Sequence, residues 1–154
     1  GLFNIEVSRY LSKDDRSGTN PAVPNDQDRF LLGYEWEAIP NLTVGFQYYQ
    51  EWTRDHDAFL ENSPWPEFEV DERRTWLTNR LTLSTRQNRV LWSLFTFYGT
   101  TDKDFYLRPE FYWRISDEWS LNVGGNLFGG PEKHTFFAQF ENNSNVYARL
   151  RFAY

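Results

Sequence analysis

Cysteine is absent from this chain, which removes thiol nucleophiles, disulfides and thiolate metal centres. The absence does not fix a compartment. No apolar run approaches the roughly 20 residues that a membrane-crossing helix needs, so a helical membrane protein is excluded. Positive charge is short as well: 16 Lys and Arg against 22 Asp and Glu leave a net charge of −6. That balance removes the electrostatic footprint of a nucleic-acid binder. Histidine is scarce, at two residues, and neither G-x-S-x-G nor H-E-x-x-H occurs. The chain starts at Gly1 without a leader, as expected of a mature form, an excised segment or a chain whose leader has been removed.

Aromatic side chains are abundant, with 7 Trp, 9 Tyr and 14 Phe in 154 residues, the length of one domain. Mean hydropathy is nevertheless only −0.72. Composition alone fits a soluble, aromatic-rich β-sandwich or lectin-like domain. It fits equally a barrel whose strands alternate lipid-facing and lumen-facing residues.

Alternation separates the two. In the last ten residues Val146, Ala148, Leu150, Phe152 and Tyr154 share one face, and Tyr147, Arg149, Arg151 and Ala153 the other, because side chains alternate with period two. Seven upstream segments read as strands: Leu2–Ser12, Asp28–Ile39, Leu42–Arg54, Glu72–Thr85, Arg89–Gly99, Asp104–Ile115 and Trp119–Phe128. Six of them alternate, and no helix is expected. Arg89–Gly99 is apolar on both faces, so its orientation is unreadable. Pro109 has no amide proton for a ladder and is expected at an edge or a bulge.

Connection lengths carry the next step. The second, fourth and sixth connections are short: Pro40-Asn41, Arg86–Asn88 and Ser116–Glu118. Three of the four others are long, at 13–27, 55–71 and 129–144. Sorting short turns to one end of an up-and-down meander is expected of outer-membrane barrels, with short periplasmic turns and long external loops. An even strand count puts both termini at the periplasmic end. Trp36, Trp113, Trp119 and Tyr154 lie outward near the short turns and Trp52 outward near the long loops, the positions of an interfacial aromatic girdle. The expected fold is an all-β, antiparallel, eight-stranded transmembrane β-barrel in one domain.

Leu150-Arg151-Phe152-Ala153-Tyr154, a terminal aromatic preceded by alternating apolar residues, resembles the C-terminal targeting signal of Gram-negative outer-membrane barrels. Phe30-Leu31-Leu32-Gly33-Tyr34-Glu35, Leu42-Thr43-Val44-Gly45-Phe46-Gln47-Tyr48-Tyr49 and His134-Thr135-Phe136-Phe137-Ala138-Gln139-Phe140 resemble the C-terminal half of porin-like outer-membrane proteins. The resemblance implies location and architecture, with the lipid bilayer, lipopolysaccharide and the barrel-assembly machinery as partners. It names no solute. Those proteins carry additional strands upstream, so the chain is expected to be either the C-terminal portion of a larger barrel or a smaller barrel derived from one.

The inward face carries a charge pattern: Glu6, Glu35, Glu37 and Glu51 early, then Arg74, Arg80, Arg108, Arg114, Arg149 and Arg151, with Glu110 the exception. It reads either as a transverse field across a pore or as a packed lumen of Glu–Arg pairs, since unpaired charge away from water is costly. Eight strands leave room for little more than side chains, and Tyr10, Tyr49, Tyr106 and Tyr112 are bulky inward fillers. Closure would bring Arg149 and Arg151 to Glu6. His56 and His134 fall in external loops and read as solvated residues. The alternative is a metal or acyltransferase site, for which Ser63 and Ser144 qualify by type alone. The expectation is therefore a non-enzymatic, porin-like barrel without cofactor, closed or narrowly conducting. The alternatives are half of a wider diffusion porin, a small lipid-modifying enzyme, or a loop-presenting binding module.

Overall fold

The computed structural model describes all residues, Gly1–Tyr154. Eight strands follow one another: β1 (Leu2–Tyr10), β2 (Gln27–Ile39), β3 (Leu42–Thr53), β4 (Arg73–Thr85), β5 (Val90–Gly99), β6 (Phe105–Arg114), β7 (Trp119–Gly129) and β8 (Asn145–Phe152). They form one sheet in the order β1 to β8, each antiparallel to its sequence neighbours. No helix is long and apolar enough to cross a membrane, which says nothing about strands.

The sheet does not close. β1 pairs only with β2 and β8 only with β7, which corrects the closed barrel. The charge pairing expected from closure is absent with it: none of Glu6, Arg149 and Arg151 enters an ion pair. A second correction supplies a physical reason. The connection 130–144 does not lie outside the sheet; it folds back over the inward face. The buried Phe137 ring sits 5.5 Å from Phe97 and 6.0 Å from Tyr106, and Phe140 lies 5.8 Å from Phe128. Eight strands closed on themselves leave a lumen that side chains alone fill. This sheet spreads around a loop as well.

Register settles the strand whose pattern was unreadable. Arg80 opposes Phe95 and Trp76 opposes Gly99, so Leu91, Ser93, Phe95 and Phe97 point inward. Trp92, Leu94, Thr96 and Tyr98 point outward. Pro109 sits on an interior strand without a bulge. Pairing of β6 with β7 breaks between Leu107–Leu127 and Glu110–Gly124 but resumes in the same register. The missing amide proton therefore removes ladder bonds without shifting the strand. The one register shift lies between β2 and β3, at Glu37/Ile39 beside the Pro40-Asn41 turn, where Asn41 takes a positive φ of 68°. The second long connection carries a short helix, α1 (His56–Asn62), contrary to the expectation of no helix.

All three long connections meet at one end, as their lengths predict. Asn25 donates to the Arg54 and Asp55 carbonyls at 2.9 and 3.3 Å, and Phe68 meets the His134 ring edge-on at 5.3 Å. The third is tied to the sheet by Asp104, fully buried, whose Oδ2 accepts the Phe137 amide at 2.7 Å. A Cβ on buried Gly99 would collide with the other Asp104 oxygen and reach Trp76 Nε1 at 3.4 Å. Gly99→Ala is therefore expected to destabilise the chain by about 1–3 kcal/mol. Gly45→Ala, whose nearest atom is the flexible end of Glu35 at 3.3 Å, should cost much less. Urea unfolding midpoints check the ranking, and equal midpoints for the two variants would contradict it.

Candidate functional site: the concave face

Successive inward positions of neighbouring strands stand side by side, and the larger cavities of the molecule open among them. One of about 560 Å³ is lined by residues of β4, β5 and β6, including Arg80, Ser93, Phe95, Arg108 and Glu110. Another, of about 480 Å³, runs from Asn4 through Glu35 and Gln47 to Arg80 and Phe95. This face is concave, and it divides along the strands.

Toward the long connections it is aromatic. Phe97, Tyr106 and Phe128, directly opposite one another on β5, β6 and β7, stack with centroids 6.2 and 4.6 Å apart and interplanar angles of 16° and 6°. Tyr49 lies against Trp76 at 5.6 Å. Of the expected inward tyrosines, Tyr49 and Tyr106 line this part and Tyr112 stands toward the short turns, while Tyr10 stands exposed on the free strand β1.

The expected charges are brought together only in part. Glu51 on β3 accepts from Arg74 on β4 at 3.0 Å and from the Tyr49 hydroxyl at 2.7 Å. Arg29 on β2 lies 3.5 Å away. The carboxylate is mostly shielded from solvent, so this cluster is electrostatically stronger than a surface pair. Arg108 and Glu110 pair along β6 at 3.6 Å, and Asn122 donates to Glu110 at 2.7 Å. Glu37 instead caps the Pro40-Asn41 turn, accepting the Asn41 amide at 2.7 Å. Arg80 sits over the Phe95 ring at 5.9 Å. Arg80, Arg114, Arg149 and Arg151 have no carboxylate partner, and Glu6 and Glu35 have no basic one. The fully paired Glu–Arg lumen is not what these strands build. Acid clusters on β1 to β3, and base without carboxylate partners extends from β4 to β8.

Sequence reading missed Arg29, although it lies inside the expected strand Asp28–Ile39 and shares the parity of Leu31 and Gly33. It missed Phe95, Phe97 and Trp92 because β5 is apolar on both faces. Phe136 and Phe137 were missed because a loop carries no periodicity.

The opposite face is apolar and open. Phe3, Ile5, Val7, Tyr34, Phe46, Trp92, Trp119, Leu127, Leu150 and Phe152 are all exposed. Of the girdle residues, Trp36 opposes Val44 and Trp113 opposes Leu121, near the short turns. Trp119 pairs with Phe152 at 4.9 Å, beside the fully exposed Tyr154. Near the long connections Trp52 lies under Arg54 at 3.6 Å and Arg73 at 4.5 Å, and donates to Glu72 at 3.0 Å. The expectation of two solvated histidines holds for His134, which is exposed. His56 is half-buried, its Nε2 2.7 Å from the Val70 carbonyl. No protein-family model and no curated protein sequence matches this chain.

Two acids at the long-connection end titrate abnormally. Asp15 is held below the usual carboxylate range by the Ser17 hydroxyl, donating at 2.7 Å, and by the Asn20 amide at 2.6 Å. Asp102 is pushed up by burial and then by the neighbouring negative charge of Asp104. A carboxyl raised on folding contributes stability while protonated and loses it as pH rises through its folded pKa. Asp102→Asn should therefore raise the thermal midpoint at pH 7. The gain should vanish below about pH 4, where the ordinary carboxyl is itself protonated. Thermal unfolding across that range checks the sign; a variant less stable at pH 7 would contradict it.

Proposed function

We propose that this chain is a wall of a non-enzymatic, porin-like β-barrel in a Gram-negative outer membrane. The barrel is wider than eight strands, and the concave face lines its passage. The observation that carries the reading is the apolar outer face. Side chains from Phe3 on the first strand to Phe152 on the last stand exposed on one side. Arg9, Asp28, Gln50, Arg73 and Asn79 are polar exceptions there, while Glu35, Glu51, Arg74, Arg80, Arg108 and Glu110 stand on the other side. Only four apolar residues, Trp76, Val90, Phe137 and Ala138, are buried. A water-soluble domain of this length removes about two-thirds of its surface from water and rarely exposes so large an apolar patch. In lipid the same face is the solvated one. Strands of 8–13 residues match a tilted crossing of the hydrocarbon, for which about 9–11 suffice.

The free edges of β1 and β8 and the loop on the concave face favour a wider barrel over a narrow eight-stranded one. The partners implied are the bilayer, lipopolysaccharide and the barrel-assembly machinery, which would read Leu150, Phe152 and Tyr154. The short turns and both termini then face the periplasm. Acid on β1 to β3, apart from Arg29, beside base on β4 to β8, apart from Glu110, would set a field along the wall of the passage of the kind that orients and selects ions.

Single-tryptophan variants in vesicles of brominated lipid test the assignment of faces. Trp92 and Trp119 should be quenched, and Trp76, on the concave side, should not. Equal quenching of all three, or a chain that remains soluble and monomeric without detergent, would overturn the reading.

A further inference from the structure

The loop that folds onto the concave face leaves a gap beneath it. A cavity of about 290 Å³ lies between Phe136 and Phe137 above and Tyr49, Trp76, Thr78 and Phe97 below. The gap is open to the concave face rather than sealed, so a small molecule can enter it. It is also held open, because Asp104 fixes the Phe137 amide while the Phe137 ring rests on Phe97.

Its polar atoms are largely committed to one another. Tyr49 and Arg74 both donate to Glu51, and Thr78 donates to the Gln47 carbonyl oxygen at 3.2 Å. The donors left over are the Gln47 amide N–H groups and the Arg74 N–H groups that do not reach Glu51, which lie over the Trp76 ring. A sugar would meet too few partners here to replace its water. A carboxylate at the remaining Arg74 N–H groups would stand beside the shielded Glu51 carboxylate, which repels it. Aromatic walls offer ring faces and edges instead, and the volume sits at the small end of ligand sites.

We propose that this cavity binds a small, neutral, planar aromatic molecule of one or two rings, with at most one polar substituent directed at Gln47. The inference needs only the loop and the sheet, so it stands apart from the membrane reading. Calorimetric titration of the full chain in detergent micelles, with p-cresol as probe and benzoate and glucose as comparisons, tests it. Saturable p-cresol binding is expected, tighter than benzoate, with no response to glucose. Phe136→Ala removes an exposed wall that folding does not need and should weaken binding about fivefold, the worth of one aromatic contact. Gln47→Phe, which fills the gap, should abolish binding. Trp65→Ala, on the exposed surface of the second long connection, should leave it unchanged. Heats identical in all four proteins would mean partition into micelles and would overturn the proposal, as would tighter binding of benzoate or glucose.

Discussion

Seven antiparallel ladders satisfy the backbone between β1 and β8, and the outer edges of those two strands are satisfied by nothing in the chain. A row of unpaired N–H and C=O groups is a template for another strand, and inside hydrocarbon it is a cost of several kcal/mol per group. This constraint governs the rest of the structure. If the apolar outer face meets lipid, as proposed, an open edge is not tolerated there, and other strands must then pair with β1 and β8. β1 and β8 are the most exposed strands, as expected at the two edges of a sheet.

The concave face bears the same mark. A narrow barrel would have paired its inward charges across a dry lumen, with Glu6 meeting Arg149 and Arg151. Glu51 does pair with Arg74, but only because β3 and β4 are adjacent. Arg80, Arg114, Arg149 and Arg151 keep no carboxylate, an arrangement that water supports and a packed interior does not. The aromatic stack of Phe97, Tyr106 and Phe128 gives the third long connection an apolar floor. That floor explains why Phe137 folds inward, away from solvent.

Much of this was legible in the chain. The period-two alternation located seven strands and an unbroken apolar run the eighth, all to within a residue or two, and the sorting of short and long connections placed the loops at one end. What stayed hidden depends on contacts distant in sequence. The direction of β5 is decided by Arg80 opposite Phe95, not by its own pattern. The inward fold of residues 130–144 depends on Asp104, a single buried carboxylate with no motif around it. Closure was expected from the alternating faces and the sorting of the connections, yet those set only what a sheet can do. Whether its edges meet depends on curvature and on what fills the concave side, and here an aromatic loop fills it.

Because the chain is free of cysteine, engineered thiol pairs report edge contacts without background. The most direct test introduces one cysteine at Ala148 on β8 and a second, in turn, at Phe3, Ile5 or Val7 on β1, then oxidises the membrane-inserted chain. A disulfide requires Cα atoms within about 7 Å, so β1 and β8 held apart should yield no intramolecular cross-link at any position. An efficient intramolecular cross-link at one of them would mean that the eight strands close on themselves, and would contradict the wider barrel.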